Sequence, residues 1–148
     1  MNDLVIETND LTKCYGEQVC VAQLRLHVPK GKIYALLGRN GAGKTTTMKM
    51  LLNLVKPTSG FIKIFNDIHL EDASKAYSRI GALIETPGFY DNLTGRENLE
   101  IIARLRGLNS IESVDQALSV VNLDKNDKKI FEKYSLGMKQ RLGIAAAI

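Results

Sequence analysis

The 148-residue chain has little of what builds metal or redox centres: two cysteines and two histidines. Cys14 and Cys20 show neither metal-ligand nor redox-motif spacing, and His27 and His69 each stand alone. This usage argues against a zinc site or a disulfide framework, and a reducing cytoplasm is the expected compartment. No apolar run approaches the roughly 20 residues of a membrane span. The opening Met1–Glu7 lacks the basic and apolar regions of a signal peptide. The net charge of +4 is modest, and its cations are mixed with acids, so charge does not imply a nucleic-acid partner. Even the lysine-rich region Asp124–Arg141 is interrupted by Asp124, Asp127 and Glu132 and reads as a solvated face. A hydrophobic content of 45% in a chain of this length fits a globular domain with a real core.

One stretch carries chemistry unambiguously. Gly38-Arg39-Asn40-Gly41-Ala42-Gly43-Lys44-Thr45 matches G-x-x-x-x-G-K-[ST], a phosphate-binding loop. The glycines let backbone N–H groups turn inward around a polyphosphate. Lys44 brings a positive charge to the outer phosphates, and the Thr45 hydroxyl is placed to ligate Mg²⁺. The flanks fit the motif. Ile33–Leu37 is an unbroken apolar run, which predicts a parallel strand covered on both faces. Met48, Leu51, Leu52 and Val55 recur at helical spacing, and Lys56–Gly60 supplies the breakers that end the helix. The loop therefore lies at a helix N-terminus, where the dipole and free N–H groups favour anions.

Along the rest of the chain, Leu4–Thr8, Val19–Val28 and Phe61–Phe65 read as strands, and Ile80–Ile84 as a further buried one. Past Pro87-Gly88 the pattern becomes helical. Thr94-x-x-Glu97 is a capping box for a helix to about Arg106, closed by Gly107. Ser110-x-x-Ser113 opens another helix, with Ile111, Val114, Leu118 and Val121 on one face. Ser135 is a good N-cap for a helix running to Ile148.

Taken with the phosphate loop, Ser135-Leu136-Gly137-Met138 resembles the Ser-Gly-Gly-Gln part of the signature motif of ABC-type ATPases. The resemblance covers the whole chain. Tyr15, before Gly16, matches the aromatic that stacks on adenine. Gly38–Thr46 (Gly38, Arg39, Asn40, Gly41, Ala42, Gly43, Lys44, Thr45 and Thr46) matches the family's phosphate loop. Glu85 falls where the family has its Q-loop glutamine. There are departures: Glu85 puts a carboxylate in place of an amide, and Leu136 and Met138 stand where Gly and Gln are common. The acidic Glu85, followed by Thr-Pro-Gly-Phe-Tyr and Asn-Leu-Thr, is similar to the ATPase subunits of bacitracin-resistance and lantibiotic-immunity exporters.

The resemblance implies an α/β phosphate-loop NTPase core of the ABC type, with an antiparallel β part and an inserted helical subdomain. Residues 1–90 would hold the ATP-binding core, 91–134 the helical subdomain, and 135–148 the signature motif and the start of its helix. It implies ATP and Mg²⁺ as ligands, with Thr45 and Glu85 at the metal. It also implies a head-to-tail homodimer in which Ser135 faces the phosphates bound at Lys44 of the partner chain. A transmembrane permease subunit would take its contacts at Phe89, Tyr90 and Leu93, residues that read equally as packing between the sheet and helical parts. The full protein would then be a cytoplasmic ATPase, peripheral on the inner face of the membrane, coupling hydrolysis to export. No apolar run ending in Asp-Glu occurs in the chain. The expectation is thus an N-terminal fragment truncated before the Walker B strand, with no complete catalytic set and negligible turnover of its own. Two alternatives stand beside the exporter: a soluble ABC-type ATPase acting on ribosome or chromosome, which would need tandem domains or heptad arms, and a phosphate-loop kinase, which would need an acceptor site and lid arginines.

Overall fold

The computed structural model describes residues 3–65, 67–68, 77–85, 88–108 and 111–148. Contacts divide the chain into two compact units, residues 1–79 and 80–148.

The first unit is built on a four-stranded antiparallel sheet of order β2-β1-β3-β4. Strands β1 (Leu4–Tyr15) and β2 (Gln18–Pro29) form a long hairpin through Gly16-Glu17, with Gly16 at φ +58°. Both strands outrun the segments expected from alternation. The pairing is irregular between Thr8 and Lys13, which breaks the apolar rhythm on which that reading rests. Buried Thr8 holds the irregularity together: its hydroxyl donates to Leu24 O and accepts from Leu26 N, each at 2.9 Å. Strand β3 (Ser59–Ile64) adds to the other edge of β1, and the short β4 (Asp67–Ile68) pairs with β3. Helix α1 (Lys44–Leu51) buries Thr47, Met50 and Leu51. Of the expected stripe, Leu51 is buried, whereas Met48 is exposed and the helix ends about a turn before Val55.

Two expected strands do not form. Residues 32–39 have no regular structure, and Ile33 and Leu37 are 103% and 88% exposed. Residues 80–84 are likewise unpaired, with Leu83 exposed. A continuous apolar run becomes a parallel strand only where neighbouring strands supply hydrogen bonds, and no described segment pairs with either run.

The second unit is helical. Helix α2 (Gly95–Leu105) starts from the expected capping box: Thr94 Oγ1 accepts from Glu97 N at 3.3 Å, and Thr94 N donates to Glu97 Oε2 at 2.7 Å. It closes at Gly107, φ +71°. Helix α3 (Ile111–Val120) buries Val114 and Leu118, while Ile111, expected on that face, is exposed; Ser110, its expected cap, lies outside the described residues. A 3₁₀ turn (Phe131–Lys133) leads into α4 (Leu136–Ala147). The core joins Leu99, Ala103, Val114, Leu118, Phe131 and Leu142, among others. Arg96 ties α2 to Asp115 of α3, and Lys125 Nζ reaches the same carboxylate at 3.0 Å. These cations, Lys125 foremost, hold the Asp115 carboxyl below its usual range.

Candidate functional site

The phosphate loop lies in the first unit, and its glycines do different jobs. Gly41 and Gly43 sit at φ +83° and +82°, conformations that L side chains rarely adopt. Around Gly41 the space is open, whereas a Cβ on Gly43 would stand 2.3 Å from Cys20 O and 2.8 Å from Val21 Cγ2. The loop is thus pressed against β2 at Gly43 and free at Gly41. Gly43 precedes α1 without any side-chain cap, and the first turn of α1 contains no acid. The first N–H groups of the helix are therefore left without a side-chain acceptor, as an anion site requires. The first intrahelical bond is Thr47 N to Gly43 O at 2.8 Å, and the Thr47 hydroxyl donates to the same carbonyl at 2.9 Å.

Lys44 folds back over the loop, donating to Gly38 O at 2.7 Å and Arg39 O at 2.8 Å. Its ammonium is therefore held against the carbonyls of the turn while staying open to solvent. Thr45 is exposed at the start of α1 and Thr46 half-buried. Tyr15 ends β1 half in solvent, with Lys13 Nζ 4.8 Å from its ring centroid, so one face of the ring already carries a cation. Among the described residues no group of three or more His, Cys, Asp or Glu side chains could hold a metal ion by itself. The donor set that fits Mg²⁺ here is a hydroxyl, Thr45, supplemented by phosphate oxygens.

The other expected residues lie in the second unit. Glu85 is exposed at φ +60°, a costly conformation for a non-glycine residue. Ser135 caps α4, its Oγ accepting from Met138 N at 3.3 Å. Ser135, Leu136 and Gly137 are exposed, but Met138 packs against the helical core. The motif thus offers solvent a hydroxyl and the start of a helix whose first turn is free of acids. Phe89, expected at a partner, meets Phe131 edge-on at 5.0 Å and packs inward, whereas Tyr90 is 60% exposed.

Three residues that the sequence reading passed over shape this unit. Asn98 is buried and bonded to the backbone of Tyr90, Leu93 and Thr94. Its signal was a polar residue on the apolar stripe of α2, one turn past the cap. Tyr134, before Ser135, lays its hydroxyl against the Gly95 backbone, and burial, ahead of nearby Asp127, pushes its phenol up from the usual value. Gly95 has to be glycine for this, because a Cβ there would lie 2.5 Å from the Tyr134 hydroxyl.

A glycine cradle opening an uncapped helix, together with a serine-capped helix of motif Ser-Leu-Gly-Met, defines a phosphate-loop cassette. The chain belongs to the ABC transporter family, whose model matches residues 21–148. It is 60% identical over 146 residues, 99% of the chain, to the bacitracin transport ATP-binding protein BcrA of Enterococcus faecalis, covering 47% of that protein. It is 40% identical to the lantibiotic transport ATP-binding protein SrtF of Streptococcus pyogenes, covering 97% of the chain and 61% of the relative. The chain therefore spans about half the length of the BcrA relative. A solved ATP-binding subunit of an ABC transporter, 30% identical, superposes with a TM-score of 0.80 over 97% of this chain and 61% of that one. The fold is that of the ABC ATPases: an α/β phosphate-loop core with an antiparallel sheet, and a helical part.

Proposed function

We propose that the chain is the nucleotide-binding part of an ABC exporter's energy-coupling subunit, taking ATP with Mg²⁺ and serving export of a peptide antibiotic such as bacitracin. The loop at Gly38–Thr46 carries the reading, with Lys44 already bonded to the carbonyls of its turn. Backbone N–H groups and the Lys44 ammonium neutralise the polyphosphate, and Tyr15 offers a ring face to the base. Bound Mg²⁺ would offset charge on the phosphates, with Thr45 as the ligand that the loop supplies. Ser135, Leu136 and Gly137 act on nucleotide bound to a second copy in a head-to-tail homodimer; Met138, turned to the core, supports their helix. The exposed Tyr90 is the residue best placed for a permease subunit on the inner face of the membrane. No helix among the described residues is long and apolar enough to cross a membrane. Similarity to BcrA and SrtF favours the exporter over the ribosomal, chromosomal or kinase readings. The test is bacitracin tolerance of a sensitive bacterium expressing the gene with its membrane partner. Tolerance should be lost with Lys44→Ala; undiminished tolerance would refute the proposal.

A further inference from the structure

A buried amide holds the segment around Tyr90. Asn98 is 2% exposed. Its Nδ2 donates to Tyr90 O and Thr94 O, each at 3.0 Å, and to Leu93 O at 3.4 Å, while its Oδ1 accepts from Tyr90 N at 2.8 Å. Both ends of the amide are thus committed to backbone. The far edge of the same segment is stitched to the chain that enters the signature helix. Phe131 N donates to Leu93 O at 2.7 Å, Glu132 N donates to Asp91 O at 3.0 Å, and Thr94 bridges to Ile130. Phe89 stacks edge-on against Phe131, whose ring in turn lies 5.9 Å from that of Tyr134, the residue before the Ser135 cap. One amide therefore fixes a strip of backbone with Tyr90 exposed on it and the approach to Ser135 bonded along it.

We propose that Asn98 is a positioning residue: it makes Tyr90–Leu93 and the chain entering Ser135 one rigid piece, so that a load on Tyr90 is carried to the signature cap. This rests on the exporter reading, in which Tyr90 faces the membrane partner and Ser135 faces phosphate. Asparagine is a mediocre residue for a helix interior, and an apolar replacement would leave the Tyr90 N–H and its neighbouring carbonyls without their partner.

The experiment measures ATP turnover by the subunit alone and in complex with its membrane partner. Asn98→Leu should lower the partner-stimulated rate about tenfold while the unstimulated rate and ATP–Mg²⁺ affinity change less than about twofold. Asn98→Asp gives a second reading in case the leucine variant does not fold. Ionised, it has no donor and faces carbonyls; protonated, it regains an O–H donor beside its acceptor. Its stimulation should therefore recover as pH is lowered, whereas that of the parent complex should not. Stimulated and unstimulated rates falling together would reduce Asn98 to a structural residue. Unchanged stimulation, or an Asn98→Asp variant indifferent to pH, would also overturn the inference. A Lys44→Ala complex turning over as fast as the parent would instead remove the underlying nucleotide reading.

Discussion

Gly43→Ala separates the two demands made on the phosphate loop. At φ +82° an alanine would enter the left-handed region, at about 1–2 kcal/mol. Its Cβ would also stand 2.3 Å from Cys20 O, a backbone atom of β2 that can yield only by moving the strand. Overpacking of this kind costs about 1–3 kcal/mol, giving a total of about 2–5 kcal/mol. Gly41→Ala is the control, with φ +83° and no neighbour within 4 Å, so it carries the conformational cost alone. In urea titrations followed by circular dichroism, a slope of about 2 kcal/mol per molar converts these costs into midpoint shifts of roughly 1–2.5 M for Gly43→Ala and about 0.5–1 M for Gly41→Ala. Equal midpoints for the two variants would show that β2 does not press on the loop, and the account of Gly43 would fail.

Other outcomes follow from the helical unit. Thr94→Ala removes the cap of α2 and should cost about 1 kcal/mol in the same titration. Phe131→Ala should cost about 3–5 kcal/mol, because its ring joins Phe89 and Tyr134 and lies in the core. The carboxyls of Glu97, bonded first by the Thr94 backbone, and of Asp115, bonded first by Lys125, are held below their ordinary values. Their contribution is fully present above the ordinary carboxylate range and is lost as pH falls through the lowered folded values. The acid side of a stability–pH curve should therefore flatten in Asp115→Asn. Tyr134 acts on the other side: its raised phenol favours the fold until pH passes the ordinary tyrosine value and is lost through the folded one. Tyr134→Phe should shrink that alkaline decline, leaving the part from Tyr77, which burial also raises.

Local chemistry was legible in the sequence wherever the signal depends on near neighbours. The glycine turn leading into α1, the Thr94–Glu97 box and the Ser135 cap each need only a few consecutive residues, and each forms. Features that depend on distant partners were not. Ile33–Leu37 reads as a buried strand because its apolarity is local, but pairing is not, and no described segment pairs with it. Phe89 reads equally as a partner contact or as packing until Phe131, far along the chain, is seen against it. Asn98 shows in the sequence only as a polar residue on an apolar stripe, since its acceptors are main-chain atoms that composition does not mark. That Gly43 must be glycine was readable from the motif, but the pressure of Cys20 on it was not.

The central claim is that Gly38–Thr46 cradles a nucleoside triphosphate, and titration calorimetry of ATP–Mg²⁺ against the parent and Lys44→Ala tests it most directly. Withdrawing the ammonium that bridges Gly38 O and Arg39 O should remove a charge-assisted contact to phosphate of about 1.5–3 kcal/mol, weakening binding by roughly ten- to a hundredfold. Equal affinities for the two proteins, or no heat of binding with the parent, would contradict it.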